Sequence, residues 1–324
     1  MDHETPTDAP FVREDVRALL EYLTQVDGPA LHELSPVEAR AQYRRMRTLA
    51  DRPRPALHEV RDLSAPGAAD ERPARLYRPT DATSGTLVLF FHGGGFVIGD
   101  LDTHDGFCGE LANATGRAVL ALDYRLAPEA PFPAAPEDCE AVARWAAGSP
   151  DALGLTVTGL ATCGDSAGGA LAIATARALT ERPAALPVLA QCPIYPVVDP
   201  GSASGSMREF AEGYLLTGES MRWFDGHYRP DPADPRAGLL AGDHRATPPT
   251  AILTAGLDPL RDQGRAYARA LVEAGRTVCF AEAAGNIHGL ITLRQAIASS
   301  QADVSALLAT FRALIEEGER GAAC

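Results

Sequence analysis

A serine between two glycines constrains this chain more than any other feature. The sequence GDSAG at 164–168 follows a short apolar run at 159–163 and precedes an alanine-rich stretch of helical spacing at 167–180. This order predicts a strand, a sharp turn and a helix, with Ser166 on the turn. Such a turn strains the serine backbone and brings its flanks so close that side chains would collide, which glycine avoids. The pattern predicts a nucleophilic Ser166 and a hydrolase; a helix entry that binds phosphate is the alternative.

The second glycine-rich segment is HGGGF at 92–96, which follows the apolar strand pattern 86–91. Acyl transfer places negative charge on the former carbonyl oxygen, and backbone amides held in place beforehand stabilise that charge. We expect the amides of Gly93 and Gly94, with that of Ala167, to form this oxyanion hole, and His92 to hold the loop. A tight or flexible loop without this role is the alternative.

A nucleophilic serine needs a base and an orienting carboxylate, expected at later strand ends in the order Ser, Asp, His. Asp258 follows the strand pattern 250–255 and precedes a helix that begins near Arg261. We predict that Asp258 is the orienting carboxylate. Asp262 is the alternative, and Asp258 would then be a helix cap.

The base is expected after the next strand pattern, 277–282, where His288 lies among small and apolar residues. His244 is a weaker candidate because its polar surroundings are typical of a solvated loop. No two histidines have the spacing of a metal-binding motif such as H-E-x-x-H, so no metal is expected.

Five segments in this order carry a family resemblance: HGGGF at 92–96, DYRLAPE at 123–129, GDSAGG at 164–169, DPL at 258–260 and HG at 288–289. Together they resemble the bacterial hormone-sensitive-lipase-like family (family IV) of carboxylesterases, in its GDSAG branch. The resemblance implies an α/β-hydrolase fold, a triad of Ser166, Asp258 and His288, and no cofactor. It also implies a serine carboxylesterase that hydrolyses short- to medium-chain esters through an acyl-enzyme.

Two other functions use the same scaffold. An amidase or formamidase needs the same triad, and a non-catalytic small-molecule receptor shares the fold, since a fold alone does not decide function. The gibberellin receptors, which resemble this family, lack the catalytic histidine. Because this chain has candidates for all three members of the triad, the sequence favours an esterase.

Strand and helix patterns alternate along the chain, which predicts an α/β fold with a mostly parallel eight-stranded sheet flanked by helices. The strand patterns lie at 56–63, 74–77, 86–91, 118–123, 158–163, 187–192, 250–255 and 277–282. The catalytic groups map to the carboxyl edge of this sheet, where open α/β sheets bind ligands.

The remaining segments are predicted to form a helical cap. Residues 1–50 lack strand signals and are predicted as an N-terminal helical cap segment. Residues 200–240 are predicted as a second cap segment that contains a helix at 207–216. The α/β-hydrolase catalytic domain then comprises 51–199 and 241–324.

Apolar residues of the cap are candidates for the wall of an acyl pocket. The side chains predicted to line the substrate pocket are Phe96, Asp165, Met207, Phe210, Tyr214, Leu215, Ile287 and Leu290. For each cap residue, ordinary packing of the cap on the core is the alternative. Asp165 either anchors the turn or lines the pocket. We also expect an ion pair between Asp123 and Arg125 that holds the oxyanion loop.

The net charge of −14 argues against nucleic acid and anionic membranes as partners. All 29 basic residues are arginine, which excludes lysine chemistry such as Schiff-base formation. No run reaches the roughly 18 apolar residues of a membrane span, and no signal-peptide pattern is present. We expect a cytoplasmic enzyme without cofactor that acts on a small-molecule ester, and a homodimer is a candidate assembly.

Overall fold

The computed structural model describes residues 9–322, which contain a sheet of eight strands. The strands are β1 (Glu59–Pro66), β2 (Glu71–Arg78), β3 (Ser84–Phe91), β4 (Ala118–Leu122), β5 (Thr156–Asp165), β6 (Val188–Ile194), β7 (Thr250–Leu257) and β8 (Val278–Ile287). Each of the eight predicted strand patterns overlaps one of these strands.

The strand order in the sheet is β1-β2-β4-β3-β5-β6-β7-β8. The pairs from β4 to β8 are all parallel, whereas β1 pairs with β2 and β2 pairs with β4 in antiparallel fashion. This confirms the predicted α/β fold with a mostly parallel eight-stranded sheet. Because parallel strands end at the same edge, the segments that follow β3, β5, β7 and β8 emerge side by side.

Helices cover both faces of the sheet. They are α1 (Glu14–Thr24), α2 (Pro36–Ala50), α3 (Asp105–Thr115), α4 (Ala134–Ala147), α5 (Ala167–Glu181), α6 (Gly205–Glu209), α7 (Gly218–Tyr228), α8 (Arg261–Glu273) and α9 (Ser300–Ala322). Side chains alternate between the faces along each strand. In β3, Leu87 and Leu89 join a core with α4 and α5, whereas Val88 and Phe90 join a core with α3 and α9. The sheet is therefore the middle layer of three.

Helix α2 begins at a capping box and lies over the glycine-rich loop that follows β3. Ser35 Oγ accepts from the Glu38 amide, and the Glu38 carboxylate accepts from the Ser35 amide at 3.0 Å. Farther along the helix, Arg40 Nε donates to Val97 O at 2.8 Å. This contact places the N-terminal helices next to the carboxyl edge of the sheet.

The helix predicted at 207–216 is shorter than expected. Helix α6 ends at Glu209, and irregular turns follow it. Gly213 has φ 87° and Leu215 has φ 71°, and this left-handed backbone cannot continue a right-handed helix. The prediction of a helix to residue 216 is therefore wrong.

The predicted domain boundaries remain predictions, and their residues 1–8 and 323–324 lie outside the described residues. Every helix within residues 9–322 is too short or too polar to span a bilayer.

Candidate active site

Ser166 occupies the sharp turn between β5 and α5. Its backbone has φ 56° and ψ −118°, a conformation that side chains rarely adopt. A Cβ atom on Gly164 would lie 2.2 Å from Gly168 O, and one on Gly168 would lie 1.9 Å from Phe91 O. Neither position has room for a side chain, which is the steric reason for the two glycines.

Backbone hydrogen bonds hold Ser166 in this strained conformation. Its amide donates to Ile194 O at 2.8 Å, and its carbonyl accepts from the amides of Ala170 and Val197. Because Ser166 caps α5, its side chain lies at the positive end of the helix dipole. The end of β6 and the start of α5 together fix where the hydroxyl lies.

Asp258 and His288 are joined directly. Asp258 is buried after β7, and its Oδ2 lies 2.7 Å from His288 Nδ1. Its other oxygen accepts from the Leu260 amide at 2.8 Å. A carboxylate only accepts hydrogen bonds, so the proton of this pair resides on His288 Nδ1. The second ring nitrogen, Nε2, is then an acceptor that can take a proton.

Asp262 and His244 have other contacts. Asp262 Oδ2 accepts from the Ser206 amide at 2.8 Å and thereby joins α8 to α6. His244 Nε2 lies 3.1 Å from Leu240 O, and its ring packs near Tyr267. Neither residue contacts His288 or Ser166, so both alternatives for the acid and the base lose their support.

Tyr195 connects the histidine to the turn that carries the serine. It follows β6, and its ring packs against the His288 ring with centroids 4.5 Å apart. The Tyr195 hydroxyl donates to Asp165 Oδ2 at 3.4 Å. Burial raises the pKa of Tyr195 well above its ordinary value, and the negative charge of Asp165 adds to this shift. The phenol therefore stays protonated and holds the two segments together.

The amide of Gly93 does not fit the predicted oxyanion role. Gly93 is buried, and its amide donates to Asp165 Oδ1 at 2.7 Å. A donor that is already committed to a carboxylate cannot serve a new oxyanion, so this prediction is wrong. The next amides, those of Gly94 and Gly95, are partly exposed and have no acceptor among residues 9–322. They are the donors that the loop has available.

Asp165 anchors the oxyanion loop and does not line the pocket. Its carboxylate is buried and lies 3.1 Å from His104 Nε2. Burial alone would raise the pKa of Asp165, but the charge of His104 and the hydrogen bonds from His104 and Gly93 outweigh it and lower the pKa. Of the two roles considered for Asp165, the structure supports the anchor.

His92 also holds this loop. Its ring stacks on Tyr124 with centroids 4.3 Å apart, and its Nδ1 lies 2.9 Å from Gly93 O. Burial lowers the pKa of His92 to about 4, and repulsion from His104 contributes. His92 is therefore neutral near pH 7.

The predicted ion pair between Asp123 and Arg125 is wrong. Arg125 donates instead to both oxygens of the buried Asp138, at 2.8 Å each. Asp123 Oδ1 lies 4.0 Å from His92 Nε2. Burial and the nearby Asp100 raise the pKa of Asp123 to about 6, although Arg72 and Arg44 oppose the shift.

Three of the predicted pocket residues are core residues. Phe210 and Ile287 are at most 1% exposed and pack together with Val16 of α1. Leu290 is buried in a different cluster, the core formed with α3 and α9. The prediction that these side chains line a pocket is wrong, because tertiary packing covers them completely.

The other predicted pocket residues are partly exposed. Tyr214 and Leu215 contact the core formed by Phe210 and Ile287, next to His288. Phe96 stacks on Tyr228 with ring centroids 3.8 Å apart. Their role as pocket lining remains a prediction.

Met207 lines a cavity of about 510 Å³ between α6, α7 and the chain after β6. Val197, whose amide donates to Ser166 O, belongs to the same wall. Met221 contributes a further apolar side chain. Small-molecule sites are roughly 300–1,000 Å³, so this cavity has a suitable size for part of a substrate.

Sequence reasoning missed Gly95, His104 and Tyr195. Tyr195 follows β6 at the same sheet edge as Ser166, so the strand-end rule could have found it. His104 approaches Asp165 from a separate segment, and no local pattern indicates this contact.

Comparisons with known proteins agree with this architecture. Residues 88–292 match a protein family described as the alpha/beta hydrolase fold. Carboxylic ester hydrolase LipN of Mycobacterium tuberculosis is 40% identical over 300 residues, which cover 89% of this chain and 78% of the relative. Ethyl acetate hydrolase of Pseudomonas putida is 39% identical over 276 residues, with 81% and 85% coverage.

Comparison with solved structures also finds an ester hydrolase. An ester-hydrolase from the metagenome of Lake Arreo, in complex with a derivative of bipyridine phosphonate, has a TM-score of 0.88 and 37% identity. The match covers 93% of this chain and 98% of that one. The chain belongs to the alpha/beta hydrolase family. Within it, the predicted hormone-sensitive-lipase-like esterase group and the enzyme class of carboxylic ester hydrolase are confirmed.

Proposed function

We propose that Ser166 is the nucleophile of a serine carboxylesterase. Ser166 Oγ attacks the ester carbonyl carbon while His288 Nε2 takes its proton. His288 then gives this proton to the alcohol oxygen, the alcohol leaves, and the acyl group stays on Ser166. Water, deprotonated by His288, attacks the acyl-enzyme and releases the carboxylic acid. The single observation that carries this proposal is the hydrogen bond between His288 Nδ1 and the buried Asp258 carboxylate.

Asp258 orients the imidazole and stabilises its positive charge during both proton transfers. The Leu260 amide holds the other carboxylate oxygen, so the group has little freedom to rotate. Asp258 keeps Nδ1 protonated, which leaves Nε2 as the base.

The oxyanion forms hydrogen bonds with the amides of Gly94, Gly95 and Ala167. Gly94 and Ala167 keep the role predicted for them, and Gly95 replaces Gly93 because the Gly93 amide donates to Asp165. Ala167 is the first residue of α5, and its amide has no acceptor within its own helix. Rigid amides of this kind need no reorganisation when charge develops.

The substrates are short- to medium-chain carboxylic esters. The cavity beside Val197 and Met207 is bounded by α6 and α7, and Val197 connects its wall to the Ser166 carbonyl, so we assign the acyl group to this side of the site. A relative named for ethyl acetate hydrolysis, 39% identical to this chain, is consistent with short-chain esters as substrates. Cytoplasmic residence and a homodimer remain predictions.

Hydrolysis of p-nitrophenyl esters from acetate to palmitate tests the proposal. We expect turnover to fall beyond medium chain lengths, and Ser166→Ala to lower kcat by about 10⁴- to 10⁶-fold. Ser305→Ala, at an exposed serine on α9, is the control and should match the wild type. Near-normal turnover by Ser166→Ala would refute the mechanism. An absence of turnover on every ester would favour an amidase or a small-molecule receptor.

A further inference from the structure

Arg47 brings a buried positive charge to the histidine side of the site. It lies on α2, is 6% exposed, and reaches the residue that follows His288. Its Nη1 lies 3.4 Å from Gly289 O. A Cβ atom on Gly289 would lie 2.8 Å from Arg47 Nη2. The guanidinium is thus in contact with the backbone next to the base.

This guanidinium has little compensation from the protein. No carboxylate of residues 9–322 lies within 4.0 Å of it, and its Nε has no hydrogen-bond acceptor there. The Tyr43 ring lies 4.7 Å below the guanidinium carbon, which is a cation–π contact. An arginine keeps its charge in proteins, and a buried charge without an anion is costly.

The other arginines of α2 show that carboxylate partners are within reach of this helix. Arg40 pairs with Glu129 at 2.6 Å, and Arg44 pairs with Asp100. Asp51, one helical turn beyond Arg47, accepts hydrogen bonds from Arg294 through both of its carboxylate oxygens. Arg45, which is exposed, has no carboxylate partner among the described residues either, so what distinguishes Arg47 is that it is buried without one.

Asp165 is the buried carboxylate whose pKa the charge of Arg47 lowers, but Arg47 is not in contact with it. The positive field of Arg47 contributes to lowering the pKa of Asp165, but His104 and the Gly93 amide contact that carboxylate directly. Arg47 thus keeps most of its five N–H donors for another group. A planar fork of such donors matches a carboxylate.

The position of Arg47 relative to the chemistry indicates which part of a substrate it meets. His288 gives its proton to the alcohol oxygen, so the leaving alcohol lies on the side of His288. Gly289 follows His288 directly, and Arg47 contacts the Gly289 carbonyl oxygen. We propose that Arg47 binds a carboxylate carried by the alcohol part of the ester, so that the preferred substrates are anionic esters. This inference rests on the proposed esterase function and adds the substrate class.

The test compares 4-acetoxybenzoate with its neutral methyl ester. Both esters deliver the same acetyl group to Ser166, so kcat/KM differs only in how the alcohol part is bound and released. The measured quantity is kcat/KM for the anionic ester divided by kcat/KM for the neutral ester. We expect Arg47→Met to lower this ratio by roughly 10²-fold. Arg47→Lys should retain part of the preference for the anionic ester, since lysine keeps the charge but lacks the planar fork of N–H donors.

The ratio separates the inference from folding and from the proposed function. Because both esters are measured on the same preparation, the fraction of folded enzyme cancels. Arg45→Met, at an exposed arginine of the same helix, is the control and should keep the wild-type ratio. An unchanged ratio in Arg47→Met, with the neutral ester still hydrolysed, overturns the inference alone. Failure of the wild type to hydrolyse either ester overturns the proposed function.

A third substrate tests whether Arg47 binds a carboxylate on the alcohol part or on the acyl part of the ester. The mono-p-nitrophenyl ester of succinic acid carries its carboxylate on the acyl part. Its hydrolysis, relative to p-nitrophenyl butyrate, should respond much less to Arg47→Met. A larger response on this acyl-side carboxylate than on 4-acetoxybenzoate would overturn the assignment to the alcohol side.

Discussion

Two charged contacts between the end of α2 and the segment after β8 differ in how their charges are paired. Asp51, immediately after α2, accepts from Arg294 at 2.8 Å through each oxygen, and Glu110 pairs with the same guanidinium. One turn earlier, Arg47 rests on Gly289, and no carboxylate of residues 9–322 lies within 4.0 Å of its guanidinium. Both arginines are buried.

This difference separates two uses of a buried charge. Arg294 joins three chain segments and pairs with the carboxylates of Asp51 and Glu110. This contact therefore contributes to the stability of the fold. Arg47 joins the same two segments without a partner charge, so it contributes less to the fold and retains its capacity to bind an anion. The triad belongs to the first group, because Asp258 uses both of its oxygens within the protein.

Among the charged groups compared, the largest effect is expected where a fully partnered charge takes part in the reaction. Asp258→Asn should lower kcat on p-nitrophenyl acetate by about 10³- to 10⁴-fold, because an amide at this position favours the wrong tautomer of His288. Asp262→Asn, at the alternative acid, should stay within about threefold of the wild type. Equal losses in the two variants would show that Asp258 has no special role.

A stability measurement compares the two arginines directly. Arg294→Met leaves the buried Asp51 and the partly exposed Glu110 without their partner, so we expect a loss of about 3–5 kcal/mol in the free energy of unfolding. Arg47→Met leaves no carboxylate without a contacting partner and should lower the free energy of unfolding by less than about 1 kcal/mol. Urea unfolding followed by circular dichroism measures both. If Arg47→Met lowers the free energy of unfolding as much as Arg294→Met does, the two contacts do not differ in how they stabilise the fold.

The smallest effect concerns Asp123, a carboxylate whose pKa is raised to about 6 by burial and by Asp100. The folded protein binds this proton more tightly than the unfolded chain, so the group favours folding at low pH and loses that contribution as pH rises through 6. Asp123→Asn should therefore stabilise the protein by about 1–2 kcal/mol at pH 8, with allowance for partial exposure.

The gain in Asp123→Asn should disappear toward pH 4, where the wild-type carboxyl is protonated as well. Unfolding by urea at pH 4, 6 and 8 measures this trend. A gain of the same size at every pH would assign the effect to packing and not to charge.

Much of the fold and of the site was predictable because it depends on local patterns. Apolar runs of strand length predicted the central strands β3 to β7, since burial on both faces demands them. The patterns that predicted β1, β2 and β8 are more polar, and these strands are partly exposed. Ser166, Asp258 and His288 were found because each follows a predicted strand at the same sheet edge. The steric need for glycine on both sides of Ser166 is equally local.

Other predictions depended on partners far along the chain and were wrong. Gly93 donates to Asp165, which is 72 residues away, and not to a substrate oxyanion. Arg125 pairs with Asp138 and not with its neighbour Asp123. Leu290 follows His288 closely, yet it is completely buried in the core formed with α3 and α9. In each case the sequence contains suitable residue types but not their relative positions.

The sequence by itself determined the order of strands and helices, the strained turn at Ser166 and the identity of the acid and base candidates. These features follow from spacing, periodicity and backbone sterics within a few residues. The tertiary structure decided which donors face the reaction, which side chains are covered, and that Arg47 reaches Gly289, 242 residues away, without a counter-charge. Hydrogen bonds and charge pairing depend on distances between remote segments, and only packing sets those distances.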